Sequence, residues 1–313
     1  LVADELFCWG DNQSGQLGAA GAVAGPNSTP LSALDQVRDV AAGDAHTCAI
    51  RTDNSLYCWG RGGDGQIGDN AQEDRATPTQ IDDGQTAGAR FERLALGARH
   101  SCVTVLNTGP NTFSMSCWGN NELNQHGTAT ASPVLVPTTA LSAAPGALLP
   151  SAGGDTTCVI RGSTLECFGA NDNGQAGIDG ATDPVPTPTT VSLAGSGATQ
   201  LAVGREHSCA SQQGPGFLFC FGRGDNGELG VDPAVAGPSL PLNTQIPIAD
   251  SFSSPPAVGI DPLRVIAVGS DHGCTVVTQT NDKVWCWGSN AEGQLGFESS
   301  DDVLVPTQVA VPR

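Results

Sequence analysis

The sequence predicts an all-β chain: a β-propeller of four-stranded blades, with about six blades represented in its 313 residues and seven possible in the full protein. Three observations carry that expectation. A phrase opening with Cys-Trp-Gly or Cys-Phe-Gly recurs six times, at Cys8, Cys58, Cys117, Cys167, Cys220 and Cys286. The copies stand about 50–66 residues apart, and a fixed phrase at such a period marks a repeat architecture. Between them lie short apolar runs separated by Gly- and Asx-rich turns, without helical periodicity. The repeat runs unbroken from residue 8 to residue 296, so residues 1–313 read as a single domain.

Within a repeat the strands follow in order. Short apolar stretches come first: Val37 to Ala42, Phe91 to Leu96, Leu201 to Val203 and Leu263 to Val268. A second phrase, Gly-x-x-His-x-Cys, follows at Gly43 to Cys48, Gly97 to Cys102, Gly204 to Cys209 and Gly269 to Cys274. At Gly153 to Cys158 Thr156 replaces the His. A polar turn such as Arg51 to Ser55 then leads into the Cys-Trp-Gly strand, and two apolar strands around an Asx-rich turn make a β-hairpin. The phrase closes as Gly15-Gln16-Leu17-Gly18, where positive φ suits glycine. Connectors ending in Thr77-Pro78-Thr79, Val136-Pro137-Thr138, Pro186-Thr187-Pro188 and Val305-Pro306-Thr307 suit edge strands, because Pro cannot donate to a ladder. The longest connector runs from Val231 to Pro262. Trp9, Trp59, Trp118 and Trp287, with Phe168 and Phe221 in the same slot, read as anchors packed between neighbouring blades.

This pattern resembles the repeat of the regulator of chromosome condensation family, a propeller family. The likeness rests on Trp9-Gly10-x-Asn12-x-x-Gly15-Gln16-Leu17-Gly18 and its five relatives, with Gly43-x-x-His46, and covers nearly the whole chain. It implies blades of four strands and binding through loop faces. Members include a nuclear exchange factor that binds a small GTPase and chromatin, and secreted bacterial proteins such as a proteinaceous β-lactamase inhibitor.

The cysteines set this chain apart from the nuclear relative. Ten of eleven form five local couples: Cys48 with Cys58, Cys102 with Cys117, Cys158 with Cys167, Cys209 with Cys220, and Cys274 with Cys286. Each couple has one Cys on each arm of an expected hairpin, within disulfide reach. Free buried thiols and metal ligation are the alternatives, and zinc sites favour close pairs such as CxxC, which are absent from the sequence. Disulfides imply an oxidising compartment, so the expected location is extracellular, on the cell surface or periplasmic, in a secreted, bacterial-like member of the family. Cys8 is left unpaired in these residues. Its expected partner lies on a hairpin arm beyond the chain ends, before residue 1 or after Arg313. With neither an initiator Met nor a signal peptide, the chain reads as a processed or trimmed product.

The formal charge of −19 disfavours nucleic acid and anionic membranes as partners. No apolar run reaches 18 residues, so direct membrane insertion is not expected. His46, His100, His207 and His272 recur one per repeat, which suits hydrogen bonds tying each strand to a neighbouring turn better than a shared metal. His126 stands in the Gly-Gln-Leu-Gly slot and reads as a variant core residue. Arg223-Gly224-Asp225 spells an integrin-type tripeptide in variable loop positions, and coincidence is the expected reading. Asn27-Ser28-Thr29 is a glycosylation sequon. Acidic loops at Asp69 to Asp74, Asp179 to Asp183 and Glu298 to Asp302 lack EF-hand spacing and read as solvated. There is no Gly-x-Ser-x-Gly elbow and no phosphate loop.

The expected function is therefore a secreted or surface-exposed scaffold, not an enzyme, that binds another protein or subunit without a cofactor. It could serve as an accessory subunit of a larger extracellular assembly. A secreted enzyme with a metal-assisted site at the propeller mouth is the alternative, and guanine nucleotide exchange the third reading.

Overall fold

A computed structural model of the chain describes residues 4–82, 89–109, 111–130, 132–178, 183–193, 197–212, 218–232, 234, 245–246, 263–277 and 283–310. The strands fall into four-stranded antiparallel sheets, each built from strands consecutive in sequence. The first four-stranded sheet contains β3 (Val37–Ala42), β4 (His46–Arg51), β5 (Leu56–Gly60) and β6 (Arg75–Ile81). The next comprises β7 (Ala89–Leu96), β8 (His100–Asn107), β9 (Thr112–Gly119) and β10 (Val134–Ala144). Then come β11 (Leu148–Gly153), β12 (Thr156–Arg161), β13 (Thr164–Gly169) and β14 (Val185–Thr190). The fourth set is β15 (Ala198–Val203), β16 (His207–Gln212), β17 (Leu218–Gly222) and β18 (Gln245–Ile246). The last is β19 (Leu263–Val268), β20 (His272–Val277), β21 (Lys283–Gly288) and β22 (Val303–Gln308). Before them, β1 (Leu6–Gly10) pairs with β2 (Asn27–Leu34) alone among the described residues. These are propeller blades, as the repeat predicts.

The chain divides into two compact units, Leu1–Thr157 and Cys158–Arg313. In each, the core lies between consecutive sheets. In the first unit Cys48, Ile50, Leu56 and Cys58 of one sheet pack with Phe91, Val103, Val105 and Trp118 of the next. In the second, Cys209, Leu218 and Cys220 pack with Ile266, Val277, Trp285 and Trp287. A middle strand is therefore covered on both faces: β4 is buried at His46 through Ile50, so it loses the in–out alternation of a half-exposed strand. The outer strands β6, β10, β14 and β22 carry the prolines and stand partly exposed, where a missing N–H costs no ladder bond.

The closing turn of the signature phrase needs a left-handed residue. Gly15, Gly65, Gly174, Gly227 and Gly293 take φ between 74° and 84° there, and Asn124 takes 57° in the third copy. Asn is the non-glycine residue that tolerates this region at least cost.

Candidate functional site: the loop end of the blades

The turn between the first two strands of a blade and the connection between its last two leave from the same end of the sheet, because alternate strands run parallel. The signature residues sit at that end, and each already serves the fold. Asn12 Oδ1 accepts from Leu17 N–H at 3.0 Å, and Asn121, Asn171 and Asn290 repeat the bond to His126, Ala176 and Leu295. The side-chain oxygen of Gln16, Gln66, Gln125, Gln175, Glu228 and Gln294 accepts from the backbone N–H two residues earlier, at 2.8–2.9 Å.

The backbone carbonyl of this same Gln or Glu holds the next blade. Trp59 and Trp118 donate their indole N–H to Gln16 O and Gln66 O, and Trp287 donates to Glu228 O, each at 2.9 Å. Thr47, Ser101, Thr157 and Ser208 donate their hydroxyls to Gln16, Gln66, Gln125 and Gln175 carbonyls at 2.8–3.0 Å. The hydroxyl proton is thereby committed, so its oxygen accepts from the histidine of the preceding blade. His46 Nε2 lies 2.8 Å from Ser101 Oγ, and His100 Nε2 lies 2.8 Å from Thr157 Oγ1. That geometry makes both rings neutral Nε2–H tautomers. The partners are hydroxyls on a neighbouring strand rather than the neighbouring turn expected, and they sit one residue after the His position. The sequence carries that signal, since Thr, Ser, Thr, Ser and Gly follow the five His or Thr positions.

At the fifth of these positions the relay breaks. Gly273 stands where a hydroxyl would meet His207, and among the described residues neither ring nitrogen of His207 has a side-chain hydrogen-bond partner. The Asp271 charge and the His272 backbone favour its protonated form, and burial outweighs both. Burial pushes His46 down to about 3 and His126 and His207 to about 4. Burial, with the His126, His46 and Arg99 charges, holds His100 well below the usual range. The His126 ring centroid lies 6.2 Å from that of His100, and its side chain is buried, as expected for a core variant. Among the described residues no group of three His, Cys, Asp or Glu side chains is arranged to hold a metal.

The five cysteine couples lie opposite one another in register within hairpins, with Cα–Cα 4.1 Å and sulfurs 2.03–2.13 Å apart. Cys8 is free and half-buried. Trp59, Trp118, Phe168, Phe221 and Trp287 are fully buried, but Trp9 is 64% exposed and departs from the anchoring role expected of it.

The variable loop positions carry the charge. In the first unit Arg99 lies 3.9 Å from Asp64 and 3.5 Å from Asp155, bridging loops of successive blades. In the second, Arg223 is paired with Glu206 at 2.7 Å and Asp225 at 2.9 Å, contacts that raise its pKa further. The Arg223-Gly224-Asp225 tripeptide is thus closed on itself, with Gly224 against Leu229. Asn27 donates its side-chain amide to Gly25 O at 2.8 Å, which engages the sequon. Of the acidic loops, Asp69 is bound to Arg75 at 2.6 Å. Asp183 and Asp302 accept from Asn171 and Asn290 N–H. Residues 179–182 and most of the connector between Val231 and Pro262 lie outside the described residues, as does Pro110 of the long third-repeat turn. No helix of the described residues is long and apolar enough to cross a membrane.

A sequence profile described as the RCC1-like domain matches residues 2–313. The ultraviolet-B receptor UVR8 of Arabidopsis thaliana is 28% identical over 319 residues, covering 100% of this chain and 67% of the relative. The E3 ubiquitin-protein ligase HERC2 of Homo sapiens is 27% identical over 325 residues, covering 99% of this chain and 6% of the relative. The chain spans about two thirds of the plant protein and a small part of the ligase. Among solved structures, yeast RCC1 (Prp20), determined with Kap60 bound, is similar with TM-score 0.80 and 21% identity, over 99% of this chain and 72% of that one. Human WBSCR16 is similar with TM-score 0.80 and 20% identity, over 98% and 77% of the two chains.

Proposed function

Because the chain belongs to the RCC1-like domain family, we propose that it is a protein-binding propeller that meets its partner through the loop end of the blades. One observation carries this reading. The signature Asn and Gln side chains, the buried Trp rings and the His46–Ser101 and His100–Thr157 pairs at that end are engaged in holding the blades, so the variable charged loops between them are what remains to face a partner. The solved complex of yeast RCC1 with Kap60 supports it by analogy, since there a protein of similar fold is bound to another protein. The five hairpin disulfides support a location outside the reducing cytosol: extracellular, on the cell surface or periplasmic. An accessory subunit of an extracellular assembly fits both. The charge of −19 favours a basic partner surface over nucleic acid.

The test is affinity recovery from the native extracellular fraction with the wild-type chain and two charge variants. Arg99→Glu and Glu206→Arg alter the loop end, while Asp53→Arg alters the opposite end. The proposal expects one partner that the loop-end variants lose and the Asp53 variant keeps. Recovery of the chain alone under gentle conditions, or equal loss in all three variants, overturns it.

A further inference from the structure

We propose that Asn173-Gly174 is a site of spontaneous covalent modification: the Asn173 side chain loses its amide as ammonia, leaving aspartate or isoaspartate at the loop end of the blade. Asn226-Gly227, in the same turn of the next blade, is protected from that reaction by Glu228. The inference concerns the chain's own chemistry and does not depend on which partner the loop end meets.

The sequence holds two Asn-Gly pairs, and both fall in the signature turn. Their surroundings match: Asp172-Asn173-Gly174-Gln175 in one copy, Asp225-Asn226-Gly227-Glu228 in the next. The backbone matches too. Gly174 N–H donates to Asn171 O at 3.0 Å, and Gly227 N–H to Gly224 O at 3.3 Å. The two glycines have φ of 81° and 84°. Asn173 and Asn226 are both half-buried. The turn and both flanking residues are thus shared, and the contrast lies in the fourth residue.

That residue decides whether the Asn carboxamide is held. Gln175 Oε1 accepts from Asn173 N–H at 2.9 Å, and Glu228 Oε2 from Asn226 N–H at 2.8 Å. Glu228 has a second carboxylate oxygen, and Asn226 Nδ2 donates to it at 3.0 Å. Gln175 has an amide in its place, which donates to Asp172 Oδ1 at 2.8 Å and cannot accept. Gln175 therefore offers the Asn173 carboxamide no counterpart of this clamp. The reaction requires that carboxamide to turn onto the backbone. Gly174 N attacks Asn173 Cγ, the N–Cγ bond forms, and the Cγ–Nδ2 bond breaks. The amide leaves as ammonia, taking the proton of the Gly174 N–H. Water then opens the five-membered imide, at the new N–Cγ bond to give aspartate or at the backbone C–N bond to give isoaspartate. Glycine favours the attack because no Cβ hinders its nitrogen.

The two products act differently. Asp64 already stands in this slot of the second copy, with its N–H donating to Gln66 Oε1 at 2.9 Å. Aspartate therefore fits the turn and adds one negative charge beside Asp172. Isoaspartate lengthens the main chain ahead of Gln175, whose carbonyl takes the Ser208 hydroxyl at 2.8 Å, so it loosens the seam to the next blade.

The test incubates the folded 313-residue protein at pH 8 and follows both sites by peptide mass mapping, with electron-transfer fragmentation to separate aspartate from isoaspartate. The expected result is loss of the Asn173 amide about fivefold faster than the Asn226 amide, the rate equivalent of one net hydrogen bond. Glu228→Gln should raise the Asn226 rate, and Gln175→Glu should lower the Asn173 rate. In chain unfolded by urea the two sites should react at one rate. Equal rates in the folded wild type overturn the proposal. So does a difference that persists in urea, since local sequence is then the cause. Rates that the two exchanges leave unmoved overturn it as well, since Glu228 is then not the protection.

Discussion

Trp118 shows how much one side chain does in a blade. Its ring is fully buried, packs on Gly68 of the preceding blade and donates to Gln66 O at 2.9 Å. Trp118→Ala should cost about 3–5 kcal/mol, the range for emptying a large buried aromatic site. Trp118→Phe should cost less, since Phe168 and Phe221 fill the slot elsewhere. Urea midpoints will tell these apart, and equal losses would put the cost in the indole N–H rather than the ring. The histidines make stability depend on pH. Burial keeps His46, His100, His126 and His207 neutral when folded, with their pKa values pushed below 6.5, to about 3 for His46 and about 4 for His126 and His207. The unfolded chain binds protons first as pH falls through 6.5, so stability declines from there towards pH 4 and gains nothing above it. The slope is up to about 1.4 kcal/mol per pH unit for each ring. Urea midpoints at pH 7.5 and pH 5 should differ accordingly, and a flat profile contradicts the buried neutral state. His207→Leu should flatten the slope at little cost at pH 7.5, because His207 has no hydroxyl to lose. His100→Leu, which forfeits the bond to Thr157, should cost about 1 kcal/mol more.

At the scale of the hairpin, the bridges reinforce pairings that the backbone already makes. Replacing both Cys158 and Cys167 by Ser should lower stability by roughly 3 kcal/mol and leave the blade folded, in keeping with a loop of about ten residues. Far-ultraviolet dichroism should be unchanged while the urea midpoint falls; loss of the β signal would mean that the bridge specifies the fold. In the native protein, non-reducing peptide maps should link Cys only within hairpins, and a Cys58–Cys102 peptide would break the register. This level was largely legible in sequence. Val37–Ala42 is the β3 strand expected, and the two phrases bracket each hairpin. Edges were less so: β15 begins at Ala198, three residues before the apolar run, because polar Gln200 sits in the strand on ladder contacts rather than on burial. The seam chemistry was hidden for another reason. A Ser or Thr next to a His looks like an ordinary strand residue until the neighbouring blade puts a carbonyl and an imidazole on the same oxygen.

Across the whole molecule, every four-stranded sheet uses consecutive strands, so each partner in a ladder is also a neighbour in sequence. That order bears on how the chain acquires its bridges. The five closed loops span 9–15 residues, whereas neighbouring cysteines of different couples stand 41–54 apart, 44 for Cys58 and Cys102. Closing the longer loop costs roughly 1 kcal/mol more chain entropy even before any strand forms. A polypeptide threaded through a membrane amino-terminus first would present Cys48 and Cys58 together, long before Cys102 arrives. Oxidation can then keep pace with export, one hairpin at a time, with little call for a shuffling catalyst. Reduced chain refolded in air should accordingly regain its native pairing without disulfide isomerase.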